Sequence, residues 1–539
     1  MEGVVTARSG REQGRARLVL ASLSAMAGLF VSGCLVGPAY VRPPVALETA
    51  WIESSDPAVR VESAQNERWW EVFSDPTLVH LVETAYAENL TLRAAGLRVV
   101  EAQARRGVAI GTLFPQQQAL VGSYVHTLQS ENTFLASPPR GFNTFLAGFD
   151  AAWELDLWGK FRRGVEASDS DLLASVASYD DVLVSLVSEV AAAYLTIRTL
   201  EERLEVARDN VRVQEDSLGI ARVRYEAGGT SELDVEQAAT LLHDTEATIP
   251  DLERQRRQAI DSLCVLLGMP PQELTELLGG QGKLPVVPVS VVVAVPADLL
   301  RRRPDVRSAE FAAAAQSARI GVSTAQLLPA FQLTGTIGVS AAQAERWFEG
   351  NSFEAVGGPQ FNWPVLNYGR LINDVRLQDA TFQELATAYS NTVLLAQQEV
   401  EDALVGYLRG TERVQRLDEA VQAGNRAVDL SLIQYREGAT DYTSVLNSQQ
   451  AKLRVDDELV NERGIVALSV VALYKALGGG WELREGQDFV PAETRAQMQD
   501  RTYWGGLLSS KAQAQDVDKA ESDTAKRAWW QWRWWWPKW

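Results

Sequence analysis

The chain repeats itself. Trp158-Gly159-Lys160 returns as Tyr368-Gly369-Arg370, Glu189-Val190 as Glu399-Val400, and Tyr225-Glu226-Ala227-Gly228 as Tyr435-Arg436-Glu437-Gly438, all at an offset of 210 residues. Upstream, Arg105 and Pro115 return as Arg319 and Pro329 at an offset of 214, as a small difference in loop length would produce. Matches spread this widely at a fixed period mean two copies of one large structural unit.

Within each copy the hydrophobic period changes. Residues 75–110 read as helix, with Leu78, Leu81, Val82 and Ala85 on one stripe. Residues 116–126 and 142–157 read as strands. In the second, Phe145, Ala147, Phe149, Ala151, Trp153 and Leu155 share one face, while Thr144, Gly148, Asp150, Glu154 and Asp156 lie mainly on the other. Apolar outside and polar inside is the alternation of a barrel strand. From Phe161 the period is helical again, and no Pro interrupts Lys160 to Gly228. About 65 residues at ~1.5 Å each make a rod roughly 100 Å long, which favours a coiled-coil or tubular assembly. Gly228-Gly229 ends the rod, and Thr230-Ser231 with Asp234 reads as a capping box that starts a return helix. The second copy repeats the order, with strands near 331–342 and 353–366. The expected units are 75–285 and 286–483, preceded by an extended Pro-containing segment, 34–74, and followed by an extension, 484–539.

No stretch after the N-terminus has some 20 unbroken apolar residues, so a membrane would have to be crossed with strands. Four strands cannot close a barrel in lipid, and an open sheet leaves edge groups that hydrocarbon cannot satisfy. Several chains must then share one barrel, continued as a tube by the rods. The alternative is a soluble coiled-coil scaffold. Composition narrows the chemistry. With 51 Lys plus Arg against 70 Asp plus Glu, the net charge of −19 argues against nucleic acid as a partner. Three His and two Cys exclude a disulfide framework and leave little for a structural zinc site. His80, His126 and His243 match no metal spacing. Gly279-Gly280-Gln281-Gly282-Lys283 is followed by Leu284 where a phosphate loop needs Ser or Thr. Cys264, between Leu263 and Val265, reads as a buried apolar residue. No catalytic constellation is visible and no cofactor is implied.

The N-terminus reads as a signal peptide, 1–33, with Arg11, Arg15 and Arg17 before a short apolar run. Val31-Ser32-Gly33-Cys34 resembles a bacterial lipobox, which implies cleavage before Cys34 and acylation of that residue. Leu35, where Asp would favour retention at the inner membrane, implies the outer membrane.

Four segments resemble the outer membrane factor family, the TolC-like and NodT-type exit ducts of tripartite efflux pumps. They are Leu35-Val36-Gly37-Pro38-Ala39-Tyr40; Trp69-Trp70-Glu71-Val72-Phe73-Ser74-Asp75-Pro76; Leu299-Leu300-Arg301-Arg302-Arg303-Pro304-Asp305-Val306-Arg307-Ser308-Ala309-Glu310; and the paired Tyr-x-x-Gly tips. The resemblance implies an α+β membrane protein, a homotrimer. Each chain would give four strands to a 12-stranded transmembrane barrel, which long helical hairpins continue into the periplasm. It implies a passive, non-enzymatic duct in outer membrane lipid, joined by a periplasmic adaptor to an inner-membrane pump of RND or other type. An exit duct for type I protein secretion would have the same fold. It places a periplasmic gate at Asp234, Tyr435, Thr440, Ser444 and Asn447, and adaptor docking around Gly228, Gly229 and Gly438. Thr440, Ser444 and Asn447 are neutral where relatives often carry charge, which implies a weaker cation preference. Arg301 to Arg303 at a helix start call for compensation by Asp305 and Glu310. The chain's end departs from the family. Trp529, Trp530, Trp532, Trp534, Trp535, Trp536 and Trp539 with Arg533 and Lys538 suggest an anchor on membrane or cell-wall polymer.

Overall fold

A computed structural model of the chain describes residues 35–62, 67–130, 132, 140–298, 302–509, 515 and 517–524. The expected signal peptide, Cys34, Arg301 and the seven Trp residues from 529 onward lie outside the described residues.

The duplication governs the whole architecture. The first copy holds α1 (Pro76–Glu88), α2 (Leu90–Gly111), β2 (Gln117–Leu128), β3 (Gly141–Leu155), α3 (Lys160–Glu226) and α4 (Glu232–Leu266). The second holds α5 (Pro304–Ala325), β5 (Ala330–Ala341), β6 (Phe353–Asn362), α6 (Arg370–Arg436) and α7 (Tyr442–Ala476). Both rods are 67 residues long and both return helices 35. Two short strands, β1 (Val59–Val61) and β4 (Val291–Val293), pair in parallel, and α8 (Ala492–Arg501) follows the second copy.

The four long strands form one antiparallel sheet in the order β2-β3-β5-β6. Its register sorts the side chains. Leu120 pairs with Phe149, Phe149 with Ile337, and Ile337 with Ala355, giving an apolar row. On the opposite face, Glu154 pairs with Gln332 and Gln332 with Gln360, giving a polar row. Period two makes that separation automatic. Neither β2 nor β6 has a partner on its outer side among the described residues.

The rods carry the core. Leu183, Leu186, Val187, Val190, Tyr194 and Ile197 of α3 are buried against α1, α2 and α7. An 18-residue window of α3 is apolar enough to cross a bilayer, but most of it is buried in this core. On α6, by contrast, Ile372, Leu377, Leu394 and Leu430 stay exposed in the single chain. Trp69 stacks on Tyr474 at 5.5 Å and Trp70 is fully buried.

Some sequence expectations need correction. The helix expected over 75–110 is two helices. Asn89 breaks it with an extended backbone, caps α2 through Leu92 N–H (2.8 Å), and donates its amide to the Leu266 carbonyl (2.9 Å). A residue able to satisfy two helix ends at once wins over a continuous pattern. Asp305 compensates Arg303 (2.7 Å), but Glu310 pairs with Arg42 instead (2.7 Å). Arg303 also reaches Glu399 and the Ala476 carbonyl, tying α5 to both helices of the second hairpin. The glycine-rich loop at 279–283 is held by Arg198, which donates to the Gly280 and Leu278 carbonyls. Cys264 is fully buried.

Where α2 meets α3, Arg106 pairs with Asp169 at 2.7 Å, with 4% and 0% of the side chains exposed. Asp169→Asn is expected to cost about 3–5 kcal/mol, because the Arg106 charge stays buried without its counter-charge. Replacing both residues by Leu should cost much less. Thermal unfolding of the detergent-solubilised protein checks this. Equal losses in the single and double variants would contradict it.

Candidate functional site

The two hairpin tips close in the same way. Gly229 N–H reaches the Arg224 carbonyl (2.8 Å) and Gly228 N–H the Tyr225 carbonyl (2.9 Å). In the second copy, Ala439 N–H reaches Gln434 (2.8 Å) and Gly438 N–H reaches Tyr435 (3.0 Å). This double closure ends a helix only if the residue after the cap is left-handed. Gly228 (φ +70°) and Gly438 (φ +76°) are.

The surrounding side chains are not equivalent. Tyr225 is 44% exposed, whereas its repeat mate Tyr435 is 1% exposed. Tyr435 sits between the hairpins with Tyr442, Leu218, Ala221, Ala238, Leu242 and Val445. Its hydroxyl donates to the Asp234 carboxylate at 3.2 Å, and Thr230 donates to the same carboxylate oxygen. Arg224 donates to the Tyr435 and Gly229 carbonyls, with its guanidinium 4.3 Å from the Tyr435 ring centre. Tyr442 packs edge-on against Tyr435 (5.3 Å), and its hydroxyl meets that of Ser217 at 3.1 Å. Burial pushes both tyrosines above their ordinary range, and the Asp234 charge adds to the shift.

Asp234 and Tyr435, expected at the gate from different copies, are thus in direct contact. The capping-box expectation fails in detail. Ser231 takes the N-cap backbone position without a side-chain cap bond, and the Asp234 carboxylate turns to Tyr435 and Thr230 instead. Thr440 and Ser444 bond to each other (2.9 Å) away from that contact, while Asp441 caps α7 through Ser444 N–H. Asn447 lies along α7. Arg224 was not anticipated. Its signal is an asymmetry, since position 434 of the second copy is Gln.

Further from the tip, the seam between α3 and α7 is polar. Lys452 donates to Asn210 (3.2 Å) and to Asp456, and Arg203 grips Asp457 at 2.8 and 3.0 Å. The buried side-chain amides of Gln214 and Gln449 make no hydrogen bond among the described residues. Buried amides left this way weaken an interface. Near the sheet, Glu154 pairs with Lys160 (2.9 Å) and Asp156 with Arg162 (3.0 Å). Among the described residues no cluster of three His, Cys, Asp or Glu could hold a metal.

A sheet with apolar and polar faces, open at both edges and joined to 67-residue helices, defines a strand-barrel channel of the outer membrane rather than a catalyst. The family model described as "Outer membrane efflux protein" matches residues 81–269 and 295–479, and the chain belongs to that family. Nodulation protein T of Rhizobium leguminosarum bv. trifolii is 29% identical over 84% of this chain and 96% of its own length. The pyoverdine export outer membrane protein OpmQ of Pseudomonas putida is 32% identical over 81% of this chain and 93% of its own. The solved outer-membrane channel OprN superposes with a TM-score of 0.79 at 32% identity, over 83% of this chain and all of OprN. The fold is that of the trimeric outer-membrane efflux channels. The protein is the outer-membrane exit duct of an efflux pump and not an enzyme.

A β-carbon added at Gly228 would have nothing within 4 Å of it, so a substitution there meets only the backbone penalty. Gly228→Ala is expected to destabilise the tip by roughly 1–2 kcal/mol and Gly228→Asn by less. Hydrogen exchange of the tip amides measures this, and equal protection in the Ala variant and the parent would contradict it.

Proposed function

We propose that the Arg224, Asp234, Tyr435 cluster is the latch of a periplasmic gate. The observation that carries this reading is the Tyr435 to Asp234 hydrogen bond, which joins hairpins from the two copies next to their tips. Swinging α6 and α7 away from α3 and α4 breaks this bond, the Arg224 contacts and a polar seam that already contains unsatisfied amides. At the tips it disrupts only a small apolar cluster, while the larger core that α3 shares with α7 nearer the sheet stays packed. Such an interface is suited to two discrete positions. Thr440, Ser444 and Asn447 are uncharged, in keeping with a weak charge preference at the entrance.

The duct takes its cargo from an inner-membrane pump, of RND or related type, through a periplasmic adaptor. That adaptor docks in grooves between the tip helices around Gly228, Gly229 and Gly438. Relatives named for pyoverdine export and toluene efflux support small organic molecules as cargo. Cys34 carries acyl chains. The residues just after it support this, because Val36 N–H bonds to the Trp158 carbonyl (3.2 Å) and Arg163 holds the Val36 and Gly37 carbonyls. That fixes the segment at the β3 to α3 junction, where the barrel meets the helical tube and an acyl chain can enter lipid.

Planar-bilayer conductance tests the latch. Tyr435→Phe and Asp234→Ala each remove a hydrogen bond to a charged group, worth about 1.5–3 kcal/mol. Each should raise the open-to-closed ratio roughly ten- to hundredfold, and unchanged conductance in both would contradict the latch. The pH dependence has a definite sign. A tyrosine pKa raised in the closed form stabilises closure below its ordinary value of 10.0, and that stabilisation is lost as pH rises through the raised value. Parent conductance should therefore rise above about pH 10, while Tyr435→Phe should show a smaller step, since burial raises Tyr442 in the same cluster as well.

A further inference from the structure

Three glycines interrupt the second hairpin at one level. Gly406 and Gly410 lie in α6 and Gly464 in α7, where the first hairpin has Thr196, Leu200 and Arg254. Glycine inside a helix gives up stability, so three at one level need a packing reason. That reason is close approach. A β-carbon at Gly464 would stand 2.6 Å from Thr199 Oγ1 and 2.7 Å from Thr199 Cγ2, on α3. One at Gly410 would stand 2.7 Å from Val466 Cγ2, and one at Gly406 2.9 Å from Ser469 Oγ, both on α7. Helices α3, α7 and α6 therefore meet in that order, each contact set by a glycine against its neighbour's side chain.

This level divides two kinds of seam. On the sheet side, Leu195 and Ile197 of α3 share one apolar core with Val466, Ala467, Val470 and Val471 of α7. That half is also tied down, since Arg484, just past α7, grips the fully buried Asp180 of α3 through two bonds, 2.6 and 3.2 Å. On the tip side, α3 meets α7 through Arg203 with Asp457, Asn210 with Lys452 and Asp456, and Ser217 with Tyr442. Gln214 lies between Asn210 and Ser217 on α3, and Gln449 between Tyr442 and Lys452 on α7. Each is 2% exposed, with its amide unbonded among the described residues. Polar groups regain hydrogen bonds from water when such a seam parts, whereas apolar ones lose their burial. Inside the second hairpin the two helices are held together along their length. Arg413 pairs with Glu462, Arg463 with Asp418 (3.4 Å), and Ser431 with Ser448 (2.7 Å).

We propose that the contact of Gly464 with Thr199 is the pivot on which α6 and α7 swing as one body, the polar seam parting while the apolar core stays closed. The pivot rests on the reading of the tips as a gate, and not on which residues latch it. A lever turns where it is held closest, between a half that stays shut and a half that opens with little loss. Tyr442 lies 22 residues from Gly464, so a tilt of about 10° over a lever of about 33 Å carries the tip roughly 6 Å. The first hairpin, with larger side chains at all three positions, is the fixed partner. Bulk added at the pivot strains both halves of the seam, and the polar half gives first.

Planar-bilayer conductance of the full-length protein tests the pivot, with each variant first shown to elute as the same oligomer as the parent. Gly464→Ala should raise the open-to-closed ratio at least fivefold. Adding Thr199→Ala, which takes Oγ1 and Cγ2 out of the collision, should return the ratio to within twofold of the parent. Gly424→Ala is the control. It too lies inside α6, but its β-carbon would stand an ordinary 3.7 Å from its nearest neighbours, and the ratio should not change. If Gly464→Ala does not assemble, Thr199→Leu enlarges the same contact from α3 and should raise the ratio in its place. An unchanged ratio in the assembled wedge variant, a rise that Thr199→Ala does not reverse, or an equal rise in Gly424→Ala would overturn the pivot. The expected rise and rescue, found together with unchanged conductance in Tyr435→Phe and Asp234→Ala, would support the pivot and remove the latch.

Discussion

Unpaired peptide groups in hydrocarbon set the terms for everything else in this protein. The sheet ends at β2 and β6, each with an open row of N–H and C=O groups. In water such edges are a nuisance; in lipid each unsatisfied group costs several kcal/mol. Four strands cannot curl far enough to meet, so the edges must be satisfied by other copies. Trimeric closure is how this class of channel does so. The apolar residues exposed along α6 fit the same requirement, since neighbouring chains cover in the helical tube what a single chain leaves bare.

Duplication then provides a frame, and departures from it build the proposed gate. Matching rods, return helices and left-handed tip glycines give two nearly interchangeable hairpins. A tube built only of identical hairpins would have no preferred place to part. The copies differ where it matters: Arg224 against Gln434, Asp234 against Ser444, exposed Tyr225 against buried Tyr435. Each difference adds a polar contact between the hairpins. The helical body nearer the sheet works the other way. Buried pairs such as Arg106 with Asp169 and Arg484 with Asp180 lock elements that have no reason to move.

Much of the frame was legible in the chain itself. The repeat offset located both rods, and the alternation through Phe145, Phe149 and Trp153 identified a strand and its faces, because one side meets lipid and the other water. The break at Asn89 was not legible. Its bond to the Leu266 carbonyl depends on a residue 177 positions away, and a local pattern of Leu and Ala runs on past it. The contact of Asp234 with Tyr435 spans 201 residues. Family resemblance marked each residue separately, but only the folded arrangement joins them. Ser231 misled because a helix start with an acid three residues on resembles a capping box, while the acid has a stronger claim elsewhere. The seating of Arg484 on Asp180 left no periodic trace at all.

The most direct measurement of the central constraint is the native mass of the detergent-extracted protein, taken with its through-pore conductance in a lipid bilayer. Three chains in one particle, with a continuous conducting path, is the expected result. A stable single chain that remains folded in lipid, or an assembly that carries no current under any gating condition, would contradict the account.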